Sequence, residues 1–159
     1  MAVTSGNTSA TATATFANVS ASFNYSLANA LPQTTFTATA NVNSAYAQGA
    51  IDGSTGSQWN TNGAQSAGDY IQVNLGSAQT IQHIMLDQGA STGNYPRSFA
   101  VEISTDGINW TTVYTAAGST GSLTDIVLGS PVTAQYVKIV LTASDNFMWW
   151  SICEINIFS

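Results

Sequence analysis

Hydrophobic and polar residues alternate along most of this chain. Ile71, Val73 and Leu75 are separated by Gln72 and Asn74, and the pattern returns in Phe99/Val101/Ile103, Val137/Ile139/Leu141 and Cys153/Ile155/Ile157. A period of two turns every second side chain to one face, as a half-buried strand requires. Bounded by turn residues, the apolar runs predict strands over 36–40, 69–75, 81–87, 98–104, 109–114, 123–128, 135–141 and 152–158. No stretch sustains a 3.6-residue period. Eight short strands predict two antiparallel sheets, so the fold class is all-β, a β-sandwich or jelly roll. Asp106-Gly107 between two strands marks a hairpin turn. The loops over 54–68, 88–97 and 143–150 are long for a rigid β scaffold, which is where binding groups usually sit.

The N-terminal part reads differently. Residues 1–15 are nearly all Ala, Thr, Ser, Gly and Asn, too poor in apolar bulk to offset the entropy of ordering, and are expected to be linker. Val19, Ala21, Phe23, Tyr25 and Leu27 then alternate with small polar residues. Residues 16–30 are therefore expected to add a strand that folds back on a sheet edge, ahead of one domain over 31–159.

Charge narrows the function. Only 6% of the 159 residues are charged, and eight acids against two bases, Arg97 and Lys138, leave a net charge of -6. No phosphate-backbone binder can work without a basic surface, so nucleic acid is excluded, and docking on anionic lipid is disfavoured for the same reason. The single cysteine, Cys153, lies in an apolar stretch and reads as a small buried hydrophobe. The uncharged Thr/Ser/Ala-rich composition suits a module that is secreted or held at a cell surface. Catalysis finds little support. The acids are scattered, the one histidine, His83, alternates with core positions in a strand, and no zinc spacing, P-loop or dinucleotide fingerprint is present.

One region is unusual for a loop: Phe147, Met148, Trp149 and Trp150 stand in succession just before the last strand, and four such side chains cannot all be core.

Five segments carry a family resemblance: Ala50-Ile51-Asp52-Gly53-Ser54-Thr55-Gly56-Ser57-Gln58-Trp59; Gly68-Asp69-Tyr70-Ile71-Gln72-Val73-Asn74-Leu75-Gly76; Asn94-Tyr95-Pro96-Arg97-Ser98-Phe99; Val101 to Trp110; and Trp149 to Phe158. In this order and spacing they resemble a discoidin (coagulation factor 5/8 type C) domain of the family 32 carbohydrate-binding module kind. The resemblance implies an eight-stranded antiparallel jelly roll, a structural calcium site and a glycan site on loops at one end. For calcium it implies the carboxylates of Asp52 and Glu154, the carbonyls of Gly49, Ser54 and Cys153, and a carbonyl and hydroxyl from Ser57. Oxygen donors of this kind suit a hard cation. Trp59 and Trp110 match the family's packing tryptophans.

Sugar recognition needs a flat aromatic face and fixed polar groups. The resemblance implies Trp149 as the first stacking face, because the family's ligand aromatic often lies on the loop before the last strand, with Phe147 and Trp150 flanking it. It also implies a polar side built from Asp87, Gln88, Asn94, Tyr95 and Arg97, with Asn60 beside it. Galactose-binding members carry histidine where this chain has Asn60, and arginine where it has Gln88. A neutral glucan is therefore the first expectation, with chitosan or a galactoside as alternatives. A non-catalytic module cut from a larger bacterial glycan-active enzyme or surface protein, monomeric by itself, follows as the expected whole. Adhesion or membrane binding through Phe147, Met148 and Trp149 is its rival.

Overall fold

A computed structural model describes residues 26–118 and 120–159. Its strands are β1 (Thr37–Ala40), β2 (Trp59–Asn60), β3 (Tyr70–Asp87), β4 (Ser98–Ser104), β5 (Thr111–Ala117), β6 (Leu123–Leu141), β7 (Ser151–Ile152) and β8 (Glu154–Phe158). All pairings among them are antiparallel, and two sheets face each other as a sandwich.

β3 and β6 each absorb two predicted strands and pass from one layer to the other. The first half of β3 pairs with β1 and with the second half of β6, Ile71 opposite Ile139. Its second half pairs with the first half of β6 and with β8, Ile84 opposite both Ile126 and Ile157. The crossing falls where the register shifts, between Asn74 and Gln79 and again between Ile81 and His83. Gly76 makes this corner, with a φ of +81° that a side chain would resist. β4 and β5 complete the first layer beyond β6.

The predicted inward faces meet in one core. Ile71, Val73 and Leu75 share one buried cluster with Phe99, Val101, Ile139 and Ile155, all 1% exposed or less. Each such side chain contributes about 1.5–3 kcal/mol by leaving water. His83 belongs to the same buried set, with its ring stacked on Phe158 at 4.7 Å and its Nε2 against the Asp125 carboxylate. Trp110 does not enter the core. It is half-buried on the outer sheet face, where Lys138 lies 3.9 Å over its ring and pairs with Glu102 at 2.7 Å. β5 begins at Thr111 rather than Asn109 because the Asp106 carboxylate takes the Ile108 and Asn109 N–H groups, at 2.8 Å each, for its turn.

Most of the expected N-terminal strand falls outside the described residues. Its described end is not strand: Leu27–Asn29 forms a 3-10 turn capped by the Ser26 hydroxyl. Leu27, on the apolar side of the alternation that predicted the strand, is 60% exposed, so the expected strand does not extend to it. The chain meets the sheet edge only afterwards, where Ala30 bridges Phe158 and the Leu31 N–H bonds to Ile157 O at 2.7 Å.

β1 ends, β3, β4 and β8 begin, and β6 ends at the same end of the sandwich. Residues 41–69, 88–97 and 142–150 therefore converge there.

Candidate functional site

The segment after β6 is laid along the segment after β2. Asn60 pairs with Ser151, the Thr61 N–H donates to Trp150 O (2.9 Å), the Gln65 N–H to Met148 O (3.0 Å) and the Asp145 N–H to Gln65 O (2.9 Å). Along this ladder exposure alternates: Phe147 and Trp149 are exposed, Met148 is half-buried and Trp150 is buried. Trp150 packs edge-on against Trp59 with centroids 4.9 Å apart, and neither ring reaches solvent. This corrects the assignment of Trp150 to the ligand surface. Of the two adjacent tryptophans, Trp149 alone presents itself outward, 40% exposed.

Trp149 forms one wall of a hollow of about 240 Å³, lined otherwise by Asn43, Tyr46, Gln58, Asn60 and Asn62. No charged side chain lines it. Asn43 and Asn62 are the non-glycine residues with left-handed backbone among those described, each with φ 51°. Such conformations cost energy and concentrate at functional sites. Both brace Asn60. The Asn43 side-chain amide donates to Asn60 O at 3.0 Å and Oδ1 at 3.3 Å, and the Asn62 N–H donates to Asn60 Oδ1 at 3.0 Å. With its oxygen so engaged, the Asn60 carboxamide keeps its NH₂ as the donor it can offer in the hollow. Asn43, Tyr46, Gln58 and Asn62 were not legible as site residues. Tyr46 lies in an Ala- and Ser-rich turn, Ser44–Ala50, and its 64% exposure depends on packing that no local pattern encodes.

The other expected polar ligand residues are engaged inside the protein. Gln88 is fully buried, its amide on Thr124 Oγ1 at 3.1 Å, so it cannot meet a ligand. Asp87 caps the Gly89 N–H at 2.6 Å, and Asn94 donates to Ser151 Oγ at 3.0 Å. Arg97 lies 4.0 Å over the Tyr95 ring and bonds Asp145 through Nε at 2.7 Å. The Asp145 carboxylate also accepts the Phe147 and Met148 N–H groups, at 2.8 and 2.9 Å. Arg97 thus shapes the 145–149 turn through Asp145, and none of the five lines the hollow.

Donation from the Met148 N–H, then from Arg97 and the Phe147 N–H, holds the Asp145 carboxyl down at about 2, against an ordinary 3.8. A depressed carboxyl contributes stability above its unfolded value and loses it as pH falls through the folded one. Unfolding midpoints should therefore drop between pH 3.8 and about 2, and Asp145→Asn should flatten that acid limb. Urea titrations across this range check it, and an unchanged slope in the variant would show that the clamp does not contribute.

The residues expected around calcium divide into a tight group and two neighbours. Asp52 Oδ1 and Glu154 Oε1 both accept the Ser54 N–H, at 3.0 and 2.9 Å, and Ser57 Oγ donates to Asp52 Oδ2 at 2.6 Å and Ser54 O at 3.1 Å. The 52–57 turn is thus tied to the start of β8. Gly49 packs against the backbone of Gln58, just after this turn, so closely that a Cβ would come 3.3 Å from Gln58 N. Cys153 is buried next to Glu154, with its N–H on Asp87 O at 2.6 Å, and burial above all pushes its thiol up.

Glu154 is 6% exposed. Burial, with Asp52 nearby, raises its carboxyl against the opposing hydrogen bonds from Gln33, Ser54 and Gly53. No basic side chain compensates it: the chain has two bases, and Arg97 is paired with Asp145 while Lys138 is paired with Glu102. A buried carboxylate with no basic partner, beside a second one, suits a hard cation in charge, while its own oxygens accept N–H groups, Oε2 from Gln33 Nε2 at 3.1 Å and Oε1 from Ser54 at 2.9 Å. Among the described residues no three His, Cys, Asp or Glu side chains cluster, so neutral oxygens would have to supply most of the shell.

The model of the F5/8 type C domain family matches residues 35–155. Among solved structures, a family 32 module of Clostridium perfringens in complex with GalNAc-β-1,3-galactose is 26% identical, with a TM-score of 0.71, covering 82% of this chain and 99% of that one. The family 32 module of C. perfringens NanJ in complex with galactose is also 26% identical, with a TM-score of 0.71 and coverage of 81% and 97%. Chitosan-binding module 1 of a chitosanase/glucanase from Paenibacillus sp. IK-5 is 32% identical, with a TM-score of 0.63 and coverage of 79% and 96%. No curated protein is similar enough to count as a match.

Proposed function

The chain belongs to the F5/8 type C domain family, and from that premise we propose that it is a non-catalytic carbohydrate-binding module whose glycan site is the hollow beside Trp149. The observation that carries this reading is the lining itself: two exposed aromatic rings, Tyr46 and Trp149, among four side-chain amides. Rings supply area for the apolar face of a sugar, and amides supply both donors and acceptors for its hydroxyls. A hollow with no carboxylate or base in its wall favours a neutral glycan, and a neutral glucan is the ligand assigned here. Glucosamine chains and uronates would find no opposite charge in it. The module would tether a parent glycan-active enzyme or surface protein to its polysaccharide by raising local concentration. Secretion or display at a bacterial cell surface, and a monomeric state, belong to the same proposal. Among the described residues no helix is long and apolar enough to cross a membrane.

Calcium is proposed as a structural ion held by Asp52 and Glu154, with oxygens from Gly49, Ser54, Ser57 and Cys153. When bound it would supply the positive charge that Glu154 lacks, pinning the 52–57 turn to β8. Asp52 and Glu154 line no part of the hollow, so its role would be stability rather than sugar contact.

A glycan array with the purified protein tests the ligand class. Retention on neutral glucans, lost in Trp149→Ala, is expected. Retention only on chitosan oligomers or galactosides would replace the neutral glucan. Retention on no glycan, with binding to liposomes instead, would overturn the carbohydrate reading.

A further inference from the structure

We infer that the hollow is one part of a longer site that holds consecutive units of a neutral polysaccharide chain, with Tyr46 inside the hollow and Phe147 just outside it as stacking faces additional to Trp149. This rests on the reading of the hollow as a glycan site and adds the length of the ligand it takes.

Single exposed apolar residues are ordinary on a protein surface. Their distribution here is not. The strongly exposed large hydrophobic residues among those described are Leu27, Tyr46, Ile108, Leu123, Phe147 and Trp149. The aromatic ones are Tyr46, Phe147 and Trp149, and all three belong to the loops of one end. Tyr46 and Trp149 share the hollow. Phe147 precedes Trp149 by two residues in the segment along which exposure alternates, so both rings are exposed at this end with half-buried Met148 between them.

Phe147 is also the most exposed of the six, at 85%, yet its backbone is pinned through its N–H. Asp145 Oδ1 accepts both its N–H and that of Met148, Arg97 holds Asp145, and Tyr95 lies under the guanidinium. A backbone pinned in this way has less freedom to lose when a ligand stacks on the ring it carries, so more of the contact energy appears as affinity.

One aromatic suffices for a single terminal sugar. Three on one rim, with amides between two of them, match a chain that continues past the hollow. The clamp adds no charge to that path, since Arg97 and Asp145 neutralise each other.

Calorimetric titration with mono-, tri- and hexasaccharides of the cello, laminari and malto series tests this. In one series affinity should rise by about ten-fold or more from monosaccharide to hexasaccharide. Phe147→Ala and Tyr46→Ala should each weaken hexasaccharide binding by about three- to ten-fold. Phe147→Ala should leave the monosaccharide unchanged. Equal affinity at all lengths, with Phe147→Ala indistinguishable from wild type, would overturn the extended site and leave the hollow in place. Undiminished hexasaccharide binding by Trp149→Ala would instead overturn the hollow as the glycan site. Failure of all three series to bind would overturn the neutral glucan chain.

Discussion

Replacing Trp149 by Ala should weaken glycan binding by about ten-fold or more while leaving the melting temperature nearly unchanged, whereas the same change at Trp150 should destabilise the fold by about 3–5 kcal/mol. The two residues are chemically identical and adjacent. Trp149 is 40% exposed in the hollow wall, so its removal takes away stacking area but leaves no internal cavity. Trp150 is 0% exposed and packs edge-on against Trp59, whose own Nε1–H donates to Val42 O at 3.0 Å. Its removal opens a void between the turns at this end, which can close only partly. Thermal unfolding and affinity electrophoresis, run on both variants with the polysaccharide that wild type binds, separate the two effects. Loss of binding in Trp150→Ala at temperatures where it remains folded, with Trp149→Ala binding normally, would reverse the assignment.

This pair also shows where sequence reasoning stops. A run of four large apolar residues on a loop announces that some must be exposed, but not which. The choice is made by Asn60 pairing with Ser151 and Thr61 with Trp150, contacts about ninety residues apart that no local pattern contains. The strands were legible because burial on one face imposes alternation, and the faces of Ile71/Val73/Leu75 and Val137/Ile139/Leu141 are core as that pattern requires. Their continuity was not legible. A glycine at Gly76 reads as a stop, yet at a corner of the sandwich it lets β3 turn and keep its partner.

Polar residues were the hardest to place. Gln88, Asn94 and Arg97 have the chemistry of ligand contacts, and the structure uses that chemistry internally, on Thr124, Ser151 and Asp145. In a chain with so few charges, amides and hydroxyls do the work of bracing long loops. Residue type alone therefore cannot separate a brace from a binding group. Asn60 was singled out because the resembling family has histidine there, and it lies in the hollow. Its neighbours Asn43 and Asn62 would have required knowledge of their left-handed backbones.

Calcium should raise the melting temperature at neutral pH, and the rise should shrink as pH falls into the carboxylate range. Burial, reinforced by Asp52, raises the Glu154 carboxyl, so the folded chain without metal holds this proton more tightly than the unfolded chain does. For such a group stability declines as pH rises from the unfolded value through the folded one, and at neutral pH the full penalty of the charge is present. A cation held by Asp52 and Glu154 offsets that penalty and competes with the proton for the same oxygens. Binding to the folded state alone stabilises by mass action, about 2.7 kcal/mol at a hundred-fold excess over Kd. Glu154→Gln removes the buried charge, so it should melt higher than chelated wild type and respond to neither calcium nor chelator. Asp52→Ala removes the second carboxylate and the acceptor of both Ser54 N–H and Ser57 Oγ–H. It should lose the calcium response without the gain. Fluorimetric melting of the three proteins with and without calcium across pH measures all of this. A wild-type melting temperature indifferent to calcium and chelator at neutral pH would remove the metal, leaving the Ser54 N–H shared between the two carboxylates as what closes the turn on β8.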